Sequence, residues 1–186
     1  MHSLLISTGV VALAEMGDKT QLLAFILAAR FKKPIPIVLG ILAATIINHS
    51  LAGALGAWIT SIVNPEMFRW VLGASFIGMA IWTLIPDKIE EEETQVANHL
   101  GVFGATFITF FLAEMGDKTQ LATIALAAHY TTPFIVVVGT TLGMLIADIP
   151  AVFVGNQFSK KISMKLVHSI AAGIFAVMGV TSGWRE

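Results

Sequence analysis

Cysteine is absent from this sequence, and charged residues are scarce. Without cysteine the chain can form no disulfide, no thiolate zinc site and no thiol nucleophile. Charged residues make up 12% of the chain and hydrophobic residues 56%, so there are too few charges to cover the surface of a soluble domain. The formal net charge of −1 also gives no basic footprint for nucleic acid. These shortages indicate an integral membrane protein whose chemistry depends on oxygen and nitrogen atoms.

Long apolar runs take up most of the chain. The mean hydropathy is +0.82, and each run offers about the 20 residues that a helix needs to span the hydrocarbon of a bilayer. Short breaks that combine polar or charged residues with proline separate several of the runs. The pattern predicts an all-α polytopic membrane protein with six transmembrane helices, at about residues 4–29, 35–63, 68–85, 101–128, 134–158 and 162–184.

One nine-residue segment, AEMGDKTQL, occurs twice, at residues 14–22 and 113–121. Fainter matches at the same offset of 99 residues, such as Gly40 with Gly139, extend over three predicted helices of each half. The chain therefore contains an internal repeat that is longer than the motif itself.

The repeat divides the chain into two three-helix halves, residues 1–85 and 100–186, joined by an acidic linker at residues 86–99. Because each half has an odd number of spans, the second half must enter the membrane from the opposite side. The sequence thus predicts two inverted repeats related by a pseudo-twofold axis in the membrane plane. This architecture is typical of transporters, whose sites lie near the midplane at the repeat interface.

Basic residues are unevenly distributed between the predicted loops. One side of the membrane would carry seven of them, and the other side only Arg69 and Arg185. The positive-inside rule places the richer side, together with the acidic linker, in the cytoplasm, so both termini are predicted outside a bacterial cytoplasmic membrane. We interpret the apolar N-terminal run as a retained helix rather than a cleaved signal peptide, because cleavage after Ala14 would remove the helix that precedes the first motif. The seven basic residues are Arg30, Lys32, Lys33, Lys88, Lys160, Lys161 and Lys165.

Each motif places three charged residues inside an apolar run, at a cost of about 2.5–3.5 kcal/mol for each charge near the centre of a bilayer. On a continuous helix Glu15, Asp18 and Lys19 would project from one face, and the second copy would do the same. Gly17 and Gly116 would permit either close helix contact or local unwinding. A cost that recurs at matched positions indicates that the charges act together at one site.

Four acidic side chains, Glu15, Asp18, Glu114 and Asp117, would repel one another there unless cations or protons intervene. Oxygen-only ligands favour hard divalent cations such as Mn²⁺, Ca²⁺ or Mg²⁺, and the lack of cysteine, and of histidine in the motif, argues against Cu⁺ or Zn²⁺. Protonation when the metal leaves would keep the charge tolerable, which is a physical basis for proton exchange. The prediction is a site for a transported divalent cation, with protons as counter-ion and no cofactor. Neutral oxygens for the same site are available from Gln21, Gln120, Thr20 and Thr119.

The two lysines of the motifs, Lys19 and Lys118, leave a second interpretation open. Each charged cluster could be an ion-pair staple between helices, although the carboxylates outnumber the lysines. In a cation site the lysines would instead neutralise carboxylates while no metal is bound, or extend toward an interface. Like charge disfavours their direct contact with the ion. Met16 and Met115 are predicted to pack rather than to bind metal.

Three further polar residues of the predicted spans, Asn48, His49 and Asp148, are candidates for a role. Asp148 falls opposite His49 under the 99-residue offset and, as an intramembrane acid, is a candidate for a proton relay or gate. For His49 and Asn48 the favoured prediction is an interhelical hydrogen bond.

The doubled Glu-x-Gly-Asp-Lys-Thr, with one copy in each half and an acidic linker between them, resembles the Gdt-type cation transporters, or uncharacterised protein family sixteen. This family includes relatives of human transmembrane protein 165 and bacterial MneA-type manganese exporters, and the resemblance covers essentially the whole chain. It implies export of Mn²⁺, or transport of Ca²⁺ and Mn²⁺ as in eukaryotic members, in exchange for protons. Because this chain contains both motifs, it does not have to dimerise to bring two together.

Two alternatives from other classes remain open. A LysE-like exporter of an amino acid or organic cation would need a roomier cavity than four converging carboxylates suggest. An intramembrane enzyme acting on a lipid phosphate would need an arginine clamp and an activated nucleophile. No arginine lies in the core of a predicted helix, and only Thr20 and Thr119 adjoin the charges, so we expect no enzyme. The choice between Mn²⁺ and Ca²⁺ depends on cavity size and ligand number, which the sequence leaves open.

Overall fold

The computed structural model describes residues 1–84, 100–154 and 164–184, and these residues form eight α-helices. The predicted all-helical fold is confirmed. The linker predicted at 86–99 lies outside the described residues, as do four of the basic residues used to predict orientation, Lys88, Lys160, Lys161 and Arg185. The helices are α1 (His2–Glu15), α2 (Lys19–Phe31), α3 (Pro34–Ile62), α4 (Pro65–Thr83), α5 (Gly101–Glu114), α6 (Lys118–His129), α7 (Pro133–Val154) and α8 (Met164–Trp184).

The first and fourth predicted spans are each two helices rather than one. α1 ends at Glu15 and α2 begins at Lys19, and in the second half α5 ends at Glu114 and α6 begins at Lys118. Both breaks fall inside the repeated motif. The prediction of a continuous helix through each motif is therefore wrong.

A glycine with positive φ produces each break. The angle is 83° at Gly17 and 79° at Gly116, a left-handed conformation that glycine adopts without the steric penalty of a Cβ atom. The residue after each glycine, Asp18 or Asp117, is the N-cap of the next helix, a position that aspartate favours. Of the two sequence-based alternatives for these glycines, local unwinding is confirmed. Since no helix runs through the motif, the prediction that its three charges share one helical face is wrong.

Two helices in the described part of the chain are long and apolar enough to cross a membrane, Pro34–Ile62 and Pro133–Phe153. α1 and α5 are apolar but have only 14 residues each. At 1.5 Å per residue each is about 21 Å long, less than the roughly 30 Å of bilayer hydrocarbon. We call α1 with α2, and α5 with α6, the two broken pairs. For a broken pair to cross a membrane once, both of its helices are therefore needed.

α7 runs alongside α1 and then α2 in the same direction. Gly139 on α7 packs so closely against Leu4 and Ser7 of α1 that a Cβ atom would collide with them. Two turns further along α7, the carbonyl oxygen of Ala147 accepts a hydrogen bond from the side chain of Gln21 on α2. The pair α1–α2 therefore continues past its break along one side of α7.

α3 runs alongside α5 and then α6 in the corresponding way. Gly40 packs against Phe103 and Thr106 of α5, whose positions lie 99 residues beyond those that Gly139 contacts. Near the other end of α3, Gly56 packs against Ile124 and Ala127 of α6. The contacts of one half with the other are thus reciprocal.

The corresponding long helices α3 and α7 run in opposite directions. Gly53, toward the end of α3, packs against Val137 and Pro133 at the start of α7. α4 and α8 are also neighbours, and there Phe76 stacks on Phe175, its equivalent at the 99-residue offset, with ring centroids 6.3 Å apart. Because each long helix is parallel to the broken pair of the other half, the two broken pairs are antiparallel to each other.

Candidate cation site

The two breaks lie level with the middle of the long helices. On α3, the side chain of Asn48 donates a hydrogen bond of 3.1 Å to the carbonyl oxygen of Phe111, one turn before the break at the end of α5. On α7, Ala147 O accepts from Gln21 Nε2 at 2.9 Å, one turn after the other break. α3 and α7 thereby hold the two motifs at the same depth in the bundle.

Three acids from the two motifs meet between these helices. One carboxylate oxygen from each of Glu15, Glu114 and Asp117 lies within 4.8 Å of the other two. The residues are 0%, 1% and 5% exposed, respectively. Ca²⁺–oxygen distances of 2.3–2.6 Å would place ligands on opposite sides of one ion about 5 Å apart. A single divalent cation can therefore contact all three acids with small adjustments.

Each glutamate is held by a threonine of its own motif. Thr20 Oγ1 donates to Glu15 Oε2 at 2.6 Å, and Thr119 Oγ1 donates to Glu114 Oε2 at 2.9 Å. The other oxygens, Glu15 Oε1 and Glu114 Oε1, are buried and have no hydrogen-bond partner among the described residues. An unpaired polar atom in this setting is costly, so these two oxygens are available to a cation. The threonine hydroxyls, predicted as neutral ligands, orient the glutamates in this structure.

The lysines pair with the aspartates of the opposite motif. Lys118 Nζ lies 3.2 Å from Asp18 Oδ1, and Lys19 Nζ lies 3.7 Å from Asp117 Oδ1. No pattern within one motif could reveal these ion pairs between the two motifs, because each pair joins residues about 99 positions apart. The lysines do make the ion pairs of the staple interpretation, but Asp117, although it is paired with Lys19, also remains clustered with Glu15 and Glu114.

The glutamines close the broken backbone. Gln21 Oε1 accepts from Gly17 N at 3.0 Å, and Gln120 Oε1 accepts from Gly116 N at 2.8 Å. Gln21 also anchors the first break to α7 through the carbonyl oxygen of Ala147. Sequence reasoning assigned these side chains to the cation and missed their role in the backbone, although their position four residues after each glycine is a signal for it.

The polar residues of the long helices differ in their bonding. Asn48 makes the predicted interhelical hydrogen bond. His49 is fully buried, and neither ring nitrogen has a hydrogen-bond partner among the described residues, so the prediction for His49 is wrong. Asp148 is also fully buried with both carboxylate oxygens unpaired within the described chain. It lies close enough to Glu15 and Glu114 for charges on these carboxyl groups to interact, which places an acid from outside the motifs next to the cluster.

A buried group of acids between two broken helices is characteristic of a membrane cation transporter. Comparison with known families agrees with this class. Residues 3–91 and 102–186 match the family described as "Divalent cation/proton antiporter GDT1". The chain belongs to the GDT1 family, which confirms the predicted family, and it is a membrane transporter of divalent cations. This membership favours transport over an enzymatic function.

Individual relatives cover nearly the whole chain. A protein of Vibrio cholerae named "Putative manganese exporter" is 47% identical over 185 residues, which are 99% of this chain and 92% of that protein. A GDT1-like protein of Synechocystis is 31% identical over 198 residues, or 95% of this chain and 94% of its own length. GDT1-like protein 3 of Oryza sativa subsp. indica is 28% identical over 205 residues, or 97% and 73%. No solved structure matches the chain.

Proposed function

We propose that this transporter exports divalent cations from the cytoplasm, Mn²⁺ first and Ca²⁺ second, in exchange for protons. The observation that carries the proposal is the buried cluster of Glu15, Glu114 and Asp117, whose oxygens lie within 4.8 Å of one another. These acids bind the cation, and Asp18, Gln21 and Gln120 complete or support the site. Oxygen ligands suit Mn²⁺ and Ca²⁺ alike. The name of the Vibrio cholerae relative supports manganese.

The two halves, residues 1–85 and 100–186, act as inverted repeats in the membrane, joined by the linker at 86–99. The antiparallel course of corresponding helices supports this arrangement, and so do the reciprocal contacts of Gly40 and Gly139. Each broken pair would make one crossing, so that eight helices give six spans with the cation near the midplane. The uneven distribution of basic residues supports a cytoplasmic linker and external termini in a bacterial cytoplasmic membrane.

Proton exchange follows from the charge of the site. The four motif acids and the two motif lysines leave an excess of two negative charges when all six groups are ionised. A divalent cation cancels this excess, and so do two protons. Binding of metal and of protons at the same buried oxygens is then mutually exclusive. Asp148, a buried acid next to Glu15 and Glu114, is the proposed relay or gate for protons.

Transport by purified protein in liposomes tests the proposal. With an acidic interior, external Mn²⁺ should accumulate as protons leave, Ca²⁺ should accumulate less, and Mg²⁺ least. A proton ionophore should abolish the accumulation, and protein-free liposomes are the control. Gradient-independent uptake of Mn²⁺ would support a uniporter or channel instead. Uptake of lysine without uptake of metal would support a LysE-like exporter of organic cations.

The pH dependence of Mn²⁺ binding gives a second measure of coupling. Because protons compete for the carboxylates, the affinity should fall between about pH 8 and about pH 6, by about tenfold per pH unit for each proton displaced. Calorimetry in two buffers of different ionisation enthalpy counts the protons released. Zero release with an affinity independent of pH would contradict exchange at this site.

A further inference from the structure

The two motif aspartates are not equivalent in this structure, although nine identical residues surround them. Asp117 belongs to the three-acid cluster, and Asp18 contributes no oxygen to it. Asp18 lies instead 3.2 Å from the ammonium group of Lys118, and it also accepts a hydrogen bond of 2.7 Å from the backbone N–H of Lys19. One aspartate thus faces the candidate cation, while the other is held by the lysine of the opposite motif.

The two lysine–aspartate pairs differ in closeness and exposure. In the pair of Lys118 with Asp18 the side chains are 2% and 0% exposed. In the pair of Lys19 with Asp117 the distance is longer, 3.7 Å, and the side chains are 17% and 4% exposed. A buried ion pair with a short distance holds its carboxylate strongly, whereas a longer and more exposed pair is weaker. Lys19 therefore holds Asp117, the aspartate of the cluster, more weakly than Lys118 holds Asp18.

Each lysine–aspartate pair becomes the other when every residue is replaced by its equivalent in the other half of the chain. At the 99-residue offset Asp18 corresponds to Asp117, and Lys118 corresponds to Lys19. The reciprocal packing of Gly40 and Gly139 shows that the surrounding helices follow the same exchange. A second arrangement, with Asp18 in the cluster and Asp117 held by Lys19, would therefore need no new type of contact.

We propose that Glu15 and Glu114 bind the cation throughout transport, whereas Asp117 and Asp18 complete the site alternately, one for each orientation of the transporter. While one aspartate binds the cation, the other is withheld by the lysine of the opposite motif. Lys19 and Lys118 are thus positioning residues. This inference rests on the proposed function as a divalent-cation transporter, and it adds unequal and alternating roles for two residues that have identical local sequence.

The surroundings make the two arrangements unequal in energy. Asp148 is a buried acid next to Glu15 and Glu114, and the equivalent position in the first half is His49. Its neighbour Ala147 also accepts the hydrogen bond from Gln21, whereas the equivalent position holds Asn48, which bonds to Phe111. Such differences favour one of two otherwise similar arrangements over the other.

A double-mutant cycle tests the alternation. Mn²⁺ binding is measured by calorimetry on the full chain for Asp18→Asn, Asp117→Asn and the double variant, each checked for helical content and monodispersity. If either aspartate alone can complete the site, each single variant retains binding through the other arrangement. The double variant then loses more affinity than the product of the two single losses. Both single variants should fail in transport, which requires both orientations.

The opposite result has a clear form. If both aspartates bind the cation at once, the loss in the double variant will be no larger than the product of the single losses, and the inference is overturned. Wild-type protein that binds neither Mn²⁺ nor Ca²⁺ would overturn the proposed function, and the inference with it. These two failures are distinguishable, because the first requires saturable binding by the wild type.

Lysine variants give an independent readout that does not depend on the stability of the aspartate variants. In Lys118→Gln, Asp18 is no longer withheld, so the cation should be bound more tightly and released more slowly. Both KM and kcat for Mn²⁺ transport should therefore fall, and Lys118→Arg, which retains the charge, should restore part of kcat. A fall in kcat with KM unchanged or raised would indicate a structural lysine and would contradict the positioning role.

Discussion

The break between α1 and α2 and the break between α5 and α6 have the same nine residues around them, yet their surroundings differ. In both, a threonine donates to the glutamate and a glutamine accepts from the glycine N–H. Among the described contacts, only the first break is tied to a long helix by its glutamine, and only the second contributes its aspartate to the acid cluster. The motif thus sets the local geometry, and the helices packed against it set the differences.

The largest expected effect tests what the two breaks share. Glu15→Gln and Glu114→Gln each remove a charge from the cluster while keeping the size of the side chain. We expect each to reduce Mn²⁺ transport in liposomes by more than about 100-fold, the upper end of what the loss of an outer-shell partner costs at metal sites. The two losses should be similar because both glutamates are buried in the cluster.

Near-normal transport by either variant, with normal insertion into the membrane, would show that its carboxylate is structural. A large loss for only one of the two would mean that the breaks are less alike than their geometry indicates.

A smaller effect is expected from the threonines that orient the glutamates. Thr20→Val and Thr119→Val remove hydrogen bonds of 2.6 and 2.9 Å, and we expect Mn²⁺ affinity to fall by about tenfold in each, since outer-shell partners are worth about 10–100-fold. Thr181→Val is a matched control, because Thr181 is exposed and bonds only within α8 among the described contacts. An effect of Thr181→Val as large as the other two would point to a general loss of stability.

The smallest expected effect, on thermal stability, should differ between the two breaks. Among the described contacts, Gln21→Leu removes one hydrogen bond to Gly17 and one to α7, whereas Gln120→Leu removes the bond to Gly116 alone. With each bond worth about 0.5–1.5 kcal/mol, Gln21→Leu should lower the melting temperature of the metal-free protein more than Gln120→Leu does. Equal shifts in thermal unfolding would mean that the bond to Ala147 does not stabilise the first break.

Much of this molecule could be predicted from the sequence. Its helical membrane character follows from composition, because apolar runs of this length can satisfy their backbone in lipid only as helices. The location of the candidate site follows from charges placed in an apolar run, and the sequence allows either close helix contact or unwinding at Gly17 and Gly116. The continuity of the first and fourth helices was predicted wrongly, because apolar periodicity outweighed a single glycine in the pattern.

By itself, the sequence determined an all-helical membrane protein of the GDT1 family with two equal groups of acids. The tertiary structure decided that Lys19 and Lys118 cross to the opposite motif and that Asp117, rather than Asp18, joins the glutamates. Identical segments encode the same local conformation, so no pattern within them can distinguish one copy from the other. The difference arises from packing against α3 and α7, where Asn48 and His49 stand in one half and Ala147 and Asp148 in the other.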